Sequence, residues 1–302
     1  MVALPEQQVA GVYHRRIGDI VVTAISDGYM IPDHEMTRNL PPEELAQALA
    51  ADFRTELVFS VNAFLVRSRE RTVLIDTGSG DYFGPATGHV VENLRAAGVA
   101  PEDVDTVLLT HMHPDHSAGL TNVATGELIF PNAELVAHEN EPRHWFDDAQ
   151  MARASELYKR IHFGMTREQV TPYLDRLRTF TNDEEVLPGV IAVPLAGHTP
   201  GHSGYLIESA GQGLLIWGDV IHIPEVQFAR PEITMVPDLD PDMAVASRRR
   251  ILDIAEHEGL LVTGMHLHYP GFGNVSRENG VFRFHAEAWQ QKWPAAERSR
   301  VA

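Results

Sequence analysis

A chain of 302 residues, 44% apolar and 22% charged, has the composition of one large globular domain or two small ones, not of a disordered, fibrous or membrane-embedded protein. Its 42 acidic residues against 24 basic ones leave a net charge of −18, which argues against nucleic acid as a partner and for a neutral or cationic small substrate. The absence of cysteine removes disulfides, thiolate nucleophiles and zinc–sulfur sites from consideration.

The chain begins Met1-Val2-Ala3-Leu4-Pro5-Glu6, without the basic start and apolar core of a signal peptide. No stretch approaches the roughly 20 apolar residues that span a bilayer. A cytoplasmic protein with no membrane partner is the resulting expectation. Residues 17–27 alternate and are rich in Val and Ile, which predicts a strand. Residues 29–39 read as irregular, and 41–53 as a short helix with Pro at its start and Glu43-Glu44 in its first turn. The whole segment 28–60 is a candidate lid or dimerisation arm on a single domain spanning 1–302.

A hairpin is predicted at 62–67 and 72–76 around the charged turn Ser68-Arg69-Glu70-Arg71, followed by a helix at 88–97. The apolar run 105–110 predicts a buried strand ending at His111, and 133–137 another, before a long helical region over 139–159. Strands at 190–194, 204–208 and 214–217, a helix at 242–257 and a last strand at 260–263 complete the alternation. Two sheets with flanking helices in one domain fit this order.

The strongest chemical signal is His111-Met112-His113-Pro114-Asp115-His116, directly after a strand. Side chains two apart in extended chain point the same way, so His111 and His113 can grip one ion, while Pro114 turns Asp115 and His116 towards a second. A lone histidine is more often a surface or satisfied core residue. Three with an aspartate in six residues would need many partners if buried without metal. Three further strand ends carry ligand types behind a glycine: Gly197-His198-Thr199-Pro200-Gly201-His202, Gly218-Asp219 and Gly264-Met265-His266. Imidazole and carboxylate donors suit zinc, iron, manganese or cobalt.

This pattern, an HxHxDH block followed by distant His, Asp and His, resembles the metallo-β-lactamase superfamily over about residues 19–284. The resemblance implies an α/β fold, the αββα four-layer sandwich, with a dinuclear site at one edge. It implies that one ion takes His111, His113 and His202, and the other Asp115, His116 and His266, with Asp219 bridging. His202 is chosen over His198, and His266 over His268. Asp76 in Asp76-Thr77-Gly78 is similar to the family's aspartate that orients metal-bound histidines.

In such a site two ions, zinc as the default, share a hydroxide of lowered pKa that attacks a carbonyl or phosphorus centre. Asp115 is the candidate proton relay and His222 the candidate group that polarises the substrate carbonyl. The stretches 218–228 and 266–273 are similar to methyl parathion hydrolase and its lactonase and arylesterase relatives, a likeness that implies a homodimer and an apolar aromatic pocket. Trp145, Phe146, Phe228, Tyr269 and Phe272 are the candidates for that pocket. The expected function is hydrolysis of a neutral ester, a lactone or aryl ester. Phosphotriester hydrolysis is the alternative, and a mononuclear iron dioxygenase the more remote one.

Overall fold

The computed structural model describes residues 4–5 and 8–291. Two seven-stranded sheets follow the chain in order. The first contains β1 (Val12–Ile17), β2 (Ile20–Met30), β3 (Phe59–Arg67), β4 (Thr72–Ile75), β5 (Thr106–Leu108), β6 (Glu134–His138) and β7 (Leu177–Phe180). The second contains β8 (Glu185–Leu187), β9 (Val190–Pro194), β10 (Ser203–Ser209), β11 (Gln212–Ile216), β12 (Leu261–Thr263), β13 (Gly273–Glu278) and β14 (Val281–Ala286). In the first sheet β4 to β7 run parallel, and in the second β11 and β12 do.

Alternation of side chains builds three apolar layers. Between the sheets, Val22, Phe64, Ile75 and Leu108 meet Ala192, Tyr205, Ile207 and Ile216. Outside the first sheet, Leu74, Val107 and Leu135 pack on Val90, Leu94, Trp145 and Val170 from the helical segments. Outside the second, Leu215 and Val262 pack on Ile251, Leu252 and Ala255 of the helix Pro241–Glu258. The order helix, sheet, sheet, helix is the four-layer sandwich that the sequence implied. No helix among the described residues is long and apolar enough to cross a membrane.

Several boundaries differ from expectation for local reasons. The strand predicted at 17–27 is β2, which starts at Ile20 because Gly18 at φ +55° turns the chain there from β1, a strand that was not predicted. The long helix predicted at 139–159 is interrupted. Asp147 caps a new start by accepting from the amides of Ala149 and Gln150, and Ser155 caps the next by accepting from the amide of Tyr158. A π-helical turn then runs from Lys159 to Met165. Strands β7, β8, β13 and β14 went unpredicted because their polar residues mask the alternation.

Segment 28–60 is not loose. Its helix, Pro42–Ala51, buries Leu45 and Leu49 against Ile223, Val226, Ile233 and Met235, which lie just beyond Asp219. Arg38 reinforces the contact by donating to the carbonyls of Met235 and Val236.

Candidate metal centre

The chain ends of β4, β5, β11 and β12 open at the same edge of the sandwich, the position where layered α/β folds collect ligands. Beyond β5 the ladder stops, since the amide of Thr110 bonds to Asp76 Oδ1 at 2.8 Å instead of to a strand. The chain stays extended, so Met112 enters the outer core while His111 and His113 face the edge. His113 then caps a short turn, Pro114–Ser117, which presents Asp115 and His116.

The donors converge in three overlapping groups, a first of His111, His113 and His198, a second of Asp115, His116, Asp219 and His266, and a third of His198, Asp219 and His222 that joins the other two. In the first group His113 Nδ1 lies 3.1 Å from His111 Nε2 and 2.9 Å from His198 Nε2. In the second, His116 Nε2 and His266 Nε2 lie 3.5 and 3.4 Å from Asp115 Oδ2. Asp219 Oδ2 stands between the groups. It is 3.2 Å from both His116 Nε2 and His266 Nε2, 3.3 Å from His198 Nε2 and 3.7 Å from His111 Nε2. One carboxylate oxygen thus stands within 3.7 Å of donors from both the first and the second set.

The outward nitrogens are tied down, which aims the inward ones. His116 Nδ1 donates to Asp76 Oδ2 at 2.8 Å, and Thr110 Oγ1 links His111 Nδ1 to the same oxygen. His198 Nδ1 donates to Asp238 Oδ1 at 2.8 Å, and His266 Nδ1 to the Ser60 carbonyl at 2.8 Å. Such outer bonds set the tautomer and orientation of metal-binding imidazoles. Asp76 is thus brought into contact with His116 and, through Thr110, with His111.

These residues fit divalent ions. Two imidazole nitrogens on one tetrahedral zinc at ~2.0 Å stand about 3.3 Å apart, close to the spacings seen here. His113 Nε2, His116 Nε2 and Asp219 Oδ1 are buried without hydrogen-bond partners among the described residues. Burial drives His111 and His113 well below the usual histidine range, leaving neutral rings with free lone pairs. For Asp219, burial acts upward, but His116, His266 and His222 outweigh it and hold the carboxyl well below its usual range. Conversely, burial pulls His198 and His266 down, yet the facing carboxylates push them up to about 9 and about 10. The centre favours positive charge among its carboxylates, whichever carrier brings it.

One expected ligand is replaced. His202 stands apart from both groups: its Nδ1 donates to the Leu195 carbonyl at 2.9 Å, and its Nε2 accepts the Asp219 amide at 2.9 Å. With both nitrogens engaged by backbone it has no lone pair for an ion, and His198 takes the place assigned to it. His268 also lies outside, bonded to Glu225 at 2.6 Å, whereas His266 is in the second group.

Above the centre lies a cavity of about 750 Å³, whose floor includes Asp115, His198, Asp219, His222 and His266. One wall is Tyr29, Met30, Ile31, Met36 and Phe59, from segment 28–60, and the facing wall includes Leu157, Tyr158, Ile161 and His162. His222 Nε2 is 3.1 Å from Asp219 Oδ2, and burial lowers its pKa to about 4.

None of the five aromatics expected in the pocket lines this cavity. Trp145 is fully buried one layer behind, donating from its indole to Glu141 Oε2 at 2.8 Å. Phe146 packs in the same outer core under Arg167, with the guanidinium 5.9 Å from the ring centre. Phe228 stacks on Phe284 at 5.2 Å beneath the second sheet. Phe272 lies between the sheets against Tyr13 and Phe64, and Tyr269 packs on that inner layer. Core positions claimed their apolar surface. The apolar lining comes from 28–60 and 155–162 together with Phe83, Ala86, Val236 and Pro237, distant segments that only the three-dimensional structure joins.

Known proteins share this family and fold. The family model for the metallo-beta-lactamase superfamily matches residues 57–266. An N-acyl homoserine lactonase of a Bacillus species is 26% identical over 224 residues, covering 66% of this chain and 78% of that protein. The N-acyl homoserine lactonase AiiB of Agrobacterium fabrum is 32% identical over 99 residues, 27% of this chain and 33% of its own. The crystal structure of AbOPH, a hydrolase in the beta lactamase superfamily, superimposes with a TM-score of 0.87 at 31% identity, over 94% of this chain and 100% of that one. AidC, a dizinc quorum-quenching lactonase in complex with the product N-hexanoyl-L-homoserine, shares the fold with a TM-score of 0.87 at 24% identity, over 93% and 99% of the two chains. The chain therefore belongs to the metallo-β-lactamase superfamily, as a metal-dependent hydrolase with a dinuclear His/Asp centre.

Proposed function

We propose that this protein hydrolyses neutral esters, lactones first and aryl esters with them, at a centre in which His111, His113 and His198 hold one ion and Asp115, His116 and His266 the other, bridged by Asp219. The observation that carries the reading is Asp219 Oδ2, shared by both donor groups at the floor of an apolar-walled cavity. A neutral, largely hydrocarbon substrate suits those walls and a chain of net charge −18. The Bacillus relatives, named N-acyl homoserine lactonases, support lactones over other esters.

Two divalent ions bound here would supply Lewis acidity and a water activated near neutral pH. The chain's own groups do the rest. His222 lines the cavity with Nε2 3.1 Å from Asp219 Oδ2 and Nδ1 unpartnered among the described residues, so as a neutral ring donating from Nδ1 it holds the carbonyl oxygen as charge builds there. Asp115, whose side chain is 18% exposed, accepts the proton released by the attacking water and returns it to the departing alkoxide. Segment 28–60 acts as the lid-side wall that excludes solvent around the ester. Assembly as a homodimer, in line with the methyl parathion hydrolase resemblance, belongs to the same reading.

The volume of the cavity also admits an aryl phosphotriester, which makes triester cleavage the second reading. Comparing kcat/KM for a γ-lactone series with that for a paraoxon-type triester, on zinc- or manganese-loaded protein, decides between them. A lactone preference of about a hundredfold, roughly 2.7 kcal/mol in transition-state stabilisation, is expected. A triester preference of that size would overturn the first reading.

A further inference from the structure

Glu141 is fully buried, and each of its carboxylate oxygens takes two hydrogen bonds. Oε2 accepts from the amide of Met112 and the indole of Trp145, both at 2.8 Å. Oε1 accepts from the hydroxyl of Thr199 at 2.6 Å and from the amide of Gly201 at 2.8 Å. All four partners donate, a pattern that an ionised carboxylate satisfies and a carboxamide cannot. Burial pushes the carboxyl up, and these four bonds act against it.

The partners belong to two ligand loops that leave different sheets. Met112 stands between His111 and His113, beyond β5 of the first sheet, and Thr199 follows His198, beyond β9 of the second. The carbonyl of Met112 accepts from Thr166 at 2.6 Å, so the residue is held on both sides of its backbone. Trp145, fixed by the same carboxylate, meets the ring of His113 at 5.3 Å and 63°. In the second loop a Cβ at Gly201 would stand 2.9 Å from Glu141 Cγ and 3.0 Å from its Oε1, so the turn closes on the carboxylate because a glycine is there. Donors of the other group are fastened elsewhere: His116 by Asp76, the Asp219 amide by His202, and His266 by the Ser60 carbonyl.

We propose that Glu141 is a positioning residue for one ion alone, joining the two loops that carry His111, His113 and His198 into a single donor set. This role rests on the assignment of those three histidines to one ion and adds what holds them in register. Without the carboxylate, the amide of Met112 and the hydroxyl of Thr199 lose their common acceptor. The ion itself must then order both loops, which lowers its affinity.

Stepwise zinc affinities of the full-length protein, measured from the metal-loaded form by competition with chromophoric chelators, test the role. Glu141→Gln keeps the volume but loses the acceptor at one of the two positions. It should weaken one ion at least tenfold, about 1.4 kcal/mol, and leave the other within about twofold. Thr199→Val, which removes one donor and keeps the shape, should weaken the same ion by a smaller factor, and it decides the matter if Glu141→Gln does not fold. In a His198→Ala background, where that ion is already lost, Glu141→Gln should change the affinity of the remaining ion no further. A merely structural role would weaken both ions and persist in that background. Either of those results overturns the proposal, as do unchanged affinities in the folded variants. Retention of both ions by His198→Ala, beside a selective loss in Glu141→Gln, would sink the place given to His198 alone.

Discussion

The backbone amide of Asp219 donates to Nε2 of His202 across 2.9 Å, so the histidine that resembled a ligand positions the carboxylate that joins the two donor groups. The approach depends on Gly218, at φ +59°, where a Cβ would stand 2.4 Å from His202 Nε2. Sequence motif and physical role part here. A lone pair that accepts a backbone N–H is not free for a cation, and His202 is held further by the Leu195 carbonyl.

The two histidines of the GHTPGH turn should therefore behave differently. His198→Ala should lower bound zinc from two ions per chain towards one, as measured by elemental analysis after dialysis. His202→Ala should retain more metal but lose stability, by about 1–3 kcal/mol for an Asp219 amide left buried and unpaired. If His202→Ala loses an ion and His198→Ala keeps both, the assignment is wrong.

Asp238 should matter to metal affinity without touching the ion. Its Oδ1 accepts from His198 Nδ1 and its Oδ2 from the Met235 amide at 2.7 Å. Burial acts to raise its carboxyl, but the His198 bond and charge outweigh it and hold the value at about 2. Asp238→Ala should weaken zinc binding roughly 10- to 100-fold, the usual cost of losing an orienting partner. Competition with a chromophoric chelator measures it, and unchanged affinity in a folded variant would refute the role.

Metal removal should soften the whole edge of the sandwich. Ions that bind only the folded chain stabilise it by about 2.7 kcal/mol at a hundredfold excess over Kd. Stripping them with EDTA should lower Tm by roughly 5 °C or more, and added zinc should restore it. A Tm indifferent to both treatments would argue against ions at His111, His116 and Asp219.

Sequence alone determined the layered class and most donors, because both are written in local pattern. Apolar runs end at ligand types, and an extended His111-Met112-His113 must put both histidines on one side. His116, Asp219 and His266 were legible for the same reason. Local pattern could not choose between His198 and His202, since either can face the centre until the strand β11 and Gly218 bring the Asp219 amide to one of them. Nor could it find Asp238, which meets His198 from 40 residues away. The pocket was misread for a related reason. Trp145, Phe228 and Phe272 are bulky and near ligand loops in sequence, yet packing between layers buries them, while Tyr29, Phe59, Tyr158 and His162 reach the cavity from separate segments. Short-range periodicity records which face of an element is apolar. Which residues meet across the edge of two sheets depends on how the layers stack, and only the tertiary structure decided that.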